Sequence, residues 1–187
     1  MNAVALASGM AAGGPKAARE SLHRFWEEVS RTDLMFDLYS PLNQWIQTLK
    51  LPPEYHPFHA AIHFLTHVLP PTLLNPFNLN PLRAVLSRVI DFDGLNQSPE
   101  APQLFLNATN VRTGKIKVFE TPRISIDAVL ASACLPPYFQ AVEIDGEHYW
   151  DGGYTGNPAL APLYLNTDAN DLIIVGINPI VLFRMRC

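Results

Sequence analysis

Apolar positions along the chain follow two rhythms, and the change between them falls near residue 103. In the first half the period is helical. Leu22, Phe25, Trp26 and Val29 repeat at i, i+3, i+4 and i+7, which marks one buried face of a helix from Pro15 to Val29. Ahead of it, Met1 to Gly13 is rich in alanine. This predicts a smooth helix, able to pack closely against a sheet, that stops at Gly13-Gly14. Asn80-Pro81 offers an N-cap with proline at the first helical position, and Leu82, Val85, Leu86, Val89 and Ile90 then form an apolar stripe. Residues 41–80 are broken by Pro41, Pro52, Pro53, Pro57, Pro70, Pro71 and Pro76, so only a short helix at 57–69 is expected there. Residues 69–79 are apolar yet loop-like. They read as a buried connection or, more sharply, as a lid or apolar-substrate surface. Residues 91–102 read as a polar linker.

In the second half the period shortens. Residues 103–109 alternate as a strand, Gly114 marks a turn, and 116–119 return, giving a hairpin. Residues 126–134 read as a helix of small side chains stopped by Pro136 and Pro137. Two further short strands, 141–144 and 148–150, flank Asp145-Gly146, a strong signal for a type I′ turn. The run Leu172-Ile173-Ile174-Val175 within 171–177 reads as a fully buried strand of the parallel type.

Composition narrows the class. A chain of 187 residues, 48% apolar and 16% charged, suits one domain with a sizeable core. With a net charge of −4, nothing suggests nucleic acid as a partner. Cys134 and Cys187 are isolated thiols with no metal or redox spacing, which fits a reducing compartment. No apolar run reaches the ~18 residues of a membrane span. The first ten residues are apolar enough for a signal peptide, but the first Lys or Arg is Lys16, so the helix reading is preferred.

The histidines are the first candidates for chemistry. His59, His63 and His67 lie four apart, with His56 just ahead, and cover an arc of about 80° on a helix. Phe58, Ile62, Leu65 and Leu69 lie on nearly the opposite side, so the histidines form a polar face. The acid of a His-Glu-x-x-His zinc motif is missing, and a solvated face is the preferred reading. No serine sits in a Gly-x-Ser-x-Gly elbow: Ser8 and Ser132 are both within helices. Cys134 lies in an apolar helix and reads as structural. Gly9 to Gly14 has no Lys-Ser/Thr partner for phosphate, and no pattern calls for a cofactor. One acid stands out. Asp151 follows Tyr149 and Trp150, which read as the end of a buried strand, and precedes Gly152 and Gly153. The two glycines allow a sharp turn and the close approach of another backbone. Asp151 is either a turn or capping residue, or a carboxylate placed for chemistry at a strand end. Free aspartate is a weak base at pH 7, so a catalytic role needs desolvation or an already polarised partner.

Three segments of the second half carry a resemblance. They are Phe105-Leu-Asn-Ala-Thr-Asn-Val-Arg-Thr-Gly-Lys, Ile126-Asp-Ala-Val-Leu-Ala-Ser-Ala-Cys-Leu-Pro-Pro-Tyr-Phe and Tyr149-Trp-Asp-Gly-Gly-Tyr-Thr-Gly-Asn-Pro. Together they resemble the central hairpin, the helix-to-loop segment and the Asp-Gly-Gly/Ala motif of the patatin-like phospholipase domain. The opening, Met1-Asn-Ala-Val-Ala-Leu-Ala-Ser-Gly-Met, is similar to the helix that follows that family's nucleophile elbow. The resemblance implies a three-layer α/β/α fold. It also implies hydrolysis of lipid acyl esters by a Ser-Asp dyad, without histidine or cofactor, in which Asp151 takes the serine proton and Gly152 and Gly153 complete the motif. It places the serine elbow just before Met1 and a glycine-rich oxyanion loop further upstream. The expectation is therefore that residues 1–187 are a partial domain, lacking N-terminal strands and a C-terminal part, and inactive alone. Lipid or acyl-ester substrates and peripheral membrane contact go with this reading. The alternative is a non-catalytic lipid-binding or interaction remnant that works through 69–79.

Overall fold

The computed structural model describes residues 1–31, 68–136, 139–156, 159–166 and 171–176. Helix α1 (Asn2–Arg31) is two arms joined at a break. Gly13 (φ −178°, ψ 29°) and Gly14 (φ 71°, ψ −158°) leave the helical region, and Gly14 takes a backbone conformation that side-chain-bearing residues avoid. Pro15 then opens the second arm, where its missing N–H costs nothing. The first arm buries Val4, Ala5, Ala7 and Ser8 and the second buries Phe25. Trp26 departs from expectation. It is 48% exposed, and its indole Nε1 donates to Asn2 Oδ1 at 2.9 Å, so it links the two arms rather than filling the core.

Two short helices and a longer one follow: α2 (Pro71–Leu74), α3 (Pro81–Val89) and α4 (Phe92–Gln97). Asn80 caps α3 by accepting from Leu82 N, and Val85, Leu86 and Ile90 are buried, as the stripe required. Residues 91–102 are not simply a linker. Asp91 Oδ1 accepts from Gly94 N at 2.9 Å and starts α4, which buries Leu95. The buried-connection reading of 69–79 also fails, because Leu73, Phe77 and Leu79 are exposed. The helix expected at 57–69, with its histidines, lies outside the described residues but for its last two positions.

The sheet has the order β2-β1-β4-β3, from β1 (Phe105–Asn110), β2 (Ile116–Glu120), β3 (Val142–Ile144) and β4 (Glu147–Asp151). Every pairing is antiparallel. Asp145 (φ 52°) and Gly146 (φ 76°) both take positive φ between β3 and β4, the backbone a type I′ turn requires. Opposite residues in such a ladder share a face. Leu106 pairs with Phe119, and Ala108 with Asp151. The ring of Phe119 meets Tyr149 edge-on, with centroids 5.5 Å apart. Helix α5 (Ile126–Ala131), capped by Ser125, covers this face and ends three residues short of Cys134.

The main core joins Val4, Phe25, Leu86, Leu95, Leu106 and Val129, so α1, α3, α4, α5 and β1 close on one another. The principal neighbours of α1 are α3 and α4 rather than the sheet surface. Helix α6 (Ala161–Asn166) is the last regular element among the described residues. Residues 171–176 form no strand and are exposed, against the parallel strand expected there. The fold is α/β, with helices packed on a mixed-length antiparallel sheet.

Candidate functional site

Asp151 closes β4, and three separate hydrogen bonds fix it. Its amide donates to Cys134 O at 2.9 Å. Its carbonyl accepts from Thr109 Oγ1 at 2.8 Å. Its Oδ1 accepts from Gly153 N at 2.6 Å and so caps the 3₁₀ turn Gly152–Tyr154. The capping reading of this aspartate is therefore a structural fact. It uses one carboxylate oxygen, and Oδ2 has no hydrogen-bond partner among the described residues.

After Asp151 the chain crosses to the other face of β1. Asn107 Nδ2 donates to Gly156 O at 2.7 Å, and the hydroxyls of Thr109 and Thr155 share a hydrogen bond of 3.0 Å. Gly152 is buried in this crossing. A Cβ there would fall well inside 3.0 Å of the Asn107 backbone oxygen and side-chain amide, a separation that real Cβ atoms do not show. Neither Gly152 nor Gly153 takes positive φ. Close approach, rather than an unusual backbone angle, is what requires a glycine at 152.

Two other groups sit beside Asp151. The first is the N-terminal end of α1. Burial pulls the Met1 ammonium below its usual pKa, and the nearby Asp151 carboxylate partly offsets this. Val4 and Ala5 donate to Met1 O, so helical hydrogen bonding reaches back to Met1. A helix N-terminus favours negative charge nearby. The second group is Cys134. Burial first, and the Asp151 carboxylate second, push its thiol up to about 11. Its Sγ–H donates to Gln140 O at 3.2 Å. A buried thiol held protonated is a poor nucleophile, in keeping with its reading as structural.

The remaining candidates separate from this point. Ser8 Oγ accepts from Asp91 N at 3.2 Å, and Ser132 Oγ donates to Val129 O at 2.7 Å; neither reaches Asp151. His56, His59, His63, His67 and Cys187 lie outside the described residues. No cluster of three potential metal ligands occurs among the described residues. None of the described helices is long and apolar enough to cross a membrane.

Sequence reasoning did not single out Asn107, Thr109, Thr155 or Gly156, which brace the Asp151 turn. A signal was present: Asn107 and Thr109 are polar residues two apart inside a strand, and Thr109 is buried. A buried polar side chain needs a partner. Here the partners lie more than forty residues away, at Asp151, Thr155 and Gly156.

Helices packed on an antiparallel sheet define an α/β protein, with the Asp151 turn at the end of an interior strand. The family model of patatin-like phospholipase matches residues 1–164, and the chain belongs to that family of lipid hydrolases. Comparison with curated proteins gives no match, and comparison with solved structures gives none.

Proposed function

We propose that Asp151 is the base of a lipid acyl-ester hydrolase whose nucleophile is a serine presented immediately ahead of α1. The observation that carries this reading is the Asp151 turn, with Oδ1 held by Gly153 N and Oδ2 unengaged among the described residues, in a chain that the patatin-like phospholipase family model matches over residues 1–164. In the proposed reaction the serine Oγ attacks the acyl carbonyl and its proton passes to Asp151. Backbone N–H groups upstream of α1 hold the oxyanion. Asp151 returns the proton to the departing alcohol, and water then releases the acid by the same route.

The test uses two proteins. The 187-residue chain, whose first serine is Ser8, is expected to give no hydrolysis of p-nitrophenyl butyrate above blank. A longer form carrying Gly-x-Ser-x-Gly directly before Met1 is expected to hydrolyse it and to be blocked by a fluorophosphonate. In that form Asp151→Asn keeps a good capping residue and should lower kcat by about 10²–10⁴-fold. A variant that retains more than a small part of the rate would overturn the role given to Asp151. Fluorophosphonate-sensitive turnover by the short chain would overturn the placement of the serine.

Lipid binding without catalysis is a second reading. The exposed Leu73, Phe77 and Leu79 favour it.

A further inference from the structure

Three anchors hold Asp151, and they differ in kind. Its amide donates to Cys134 O at 2.9 Å, and its Oδ1 accepts from Gly153 N at 2.6 Å. Both partners are main-chain atoms, of a kind that almost any residue supplies. The third partner is a side chain: Thr109 Oγ1, 2.8 Å from the Asp151 carbonyl oxygen. Proton counting fixes its direction. A carbonyl only accepts, so the single hydroxyl proton of Thr109 goes to Asp151 O. The 3.0 Å contact between the two threonine hydroxyls is then donated by Thr155. Thr155 has another acceptor in Gly152 O, but at 3.3 Å, and that oxygen already takes the Thr155 and Gly156 amides. The chain of bonds therefore runs from Thr155 to Thr109 to the Asp151 carbonyl. Thr109 is 6% exposed, and among the described residues only Ser8 is a comparably buried polar side chain.

The accepting carbonyl belongs to the planar peptide that joins Asp151 to Gly152. Holding it fixes ψ of Asp151 at 134°, and with it the place of Gly153 N relative to the carboxylate. The bond to Cys134 O holds the preceding peptide plane in the same way. With both planes held, the Cα–Cβ direction is set, and the Gly153 bond then sets the rotation of the side chain. The angles that aim Oδ2 are thus restrained together, and one restraint in three is written in a side chain.

We propose that Thr109 is a positioning residue for the Asp151 base: its hydroxyl, bonded to the Asp151 carbonyl, holds the peptide plane that aims the carboxylate. The inference rests on the hydrolase reading for the step it affects, and on the hydrogen bonds alone for the placement. Valine has nearly the shape of threonine, so what Thr109→Val removes is the hydroxyl. Thr155 can then turn to Gly152 O, whereas the Asp151 carbonyl loses its side-chain donor. A catalytic group must sit within about 0.5 Å of its productive place, and a shift of about 1 Å costs on the order of 100-fold in rate. A freed peptide plane moves the carboxylate by part of that distance.

The test has two arms. In the longer form carrying Gly-x-Ser-x-Gly before Met1, Thr109→Val should lower kcat for p-nitrophenyl butyrate by about 10–100-fold and leave KM little changed. Thr109→Ala, which removes the same hydroxyl without the apolar bulk, should match it, and Thr109→Ser should restore most of the rate. Thr155→Val should lose less than Thr109→Val, because Thr109 keeps its own proton for the carbonyl. Adding Thr109→Val to Asp151→Asn should lower kcat little further, since the two act as one unit. The second arm is hydrogen exchange of the 187-residue chain, read by NMR. With Thr109→Val the Gly153 amide should exchange about 10-fold faster, the equivalent of one lost hydrogen bond, and with Thr109→Ser it should not. The Leu95 amide, bonded to Asp91 O in α4, reports that each variant is folded. Wild-type kcat in Thr109→Val overturns the proposal, as does equal loss in the valine, alanine and serine variants. An unchanged Gly153 amide in Thr109→Val overturns it whatever the activity. Full activity of Asp151→Asn overturns the catalytic reading instead, and the exchange arm still decides whether Thr109 places the carboxylate.

Discussion

Replacing Gly152 with alanine tests the whole construction around Asp151. The added Cβ meets the Asn107 backbone oxygen and its side-chain amide well inside 3.0 Å. The side-chain amide can rotate away, at the cost of its 2.7 Å bond to Gly156 O. The backbone oxygen cannot, because Asn107 lies within β1, paired with Val118 of β2. Overpacking of this kind costs about 1–3 kcal/mol, and losing one partly buried hydrogen bond adds about 1 kcal/mol. The expected loss is therefore about 2–4 kcal/mol. At about 2–4 °C per kcal/mol for a chain of this size, Tm should fall by roughly 5–15 °C. Gly156→Ala is the matched control four residues on. A Cβ there meets only Ile116 Cδ1 at 3.7 Å, an ordinary contact, and should change stability by no more than about 0.5 kcal/mol. Urea and thermal unfolding followed by circular dichroism measure both. Equal stability of the two variants would refute the argument that close approach to β1 is what selects glycine at 152.

Other predictions follow from single contacts. Phe25→Ala should cost about 3–5 kcal/mol, because the ring is fully buried, whereas Trp26→Ala should cost far less; urea unfolding separates the two. Asp91→Ala removes the cap of α4 and should cost about 1 kcal/mol, while Asp91→Asn should recover most of that loss. In a Cys187→Ser background, the native chain should resist iodoacetamide at pH 8, with rapid labelling of Cys134 only after unfolding. The folded state holds the Cys134 proton more tightly than the ordinary thiol value of 9.0. Its contribution to stability is thus complete below pH 9 and is lost as pH rises toward about 11, which unfolding midpoints across that range would reveal.

Much of this chain was legible where the deciding interaction is local. The Asn80 cap, the break at Gly13-Gly14 and the Asp145-Gly146 turn each depend on atoms within a few residues, and each formed where expected. The same local grammar was present at Asp91 and was passed over, because the polar run after it hid a helix of only six residues. The misreadings of Trp26, 69–79 and 171–176 have a different origin. Apolar character shows that a side chain gains from burial, but not whether a partner surface lies opposite it. Phe25 and Trp26 are adjacent with similar chemistry, and only the packing of α1 on α3 and α4 separates a buried ring from a half-exposed one.

At the site itself the sequence singled out Asp151, Gly152 and Gly153, since an acid between two aromatics and two glycines is unusual on local grounds alone. It determined the turn, the cap and the family to which the chain belongs. The tertiary structure decided what that turn touches. Asn107 and Thr109 beneath it, the first turn of α1 beside it and Cys134 behind it are all distant in sequence. Their meeting depends on strand register and on how α1 docks. Those are long-range choices made by burying whole faces, and no pattern within a few residues encodes them.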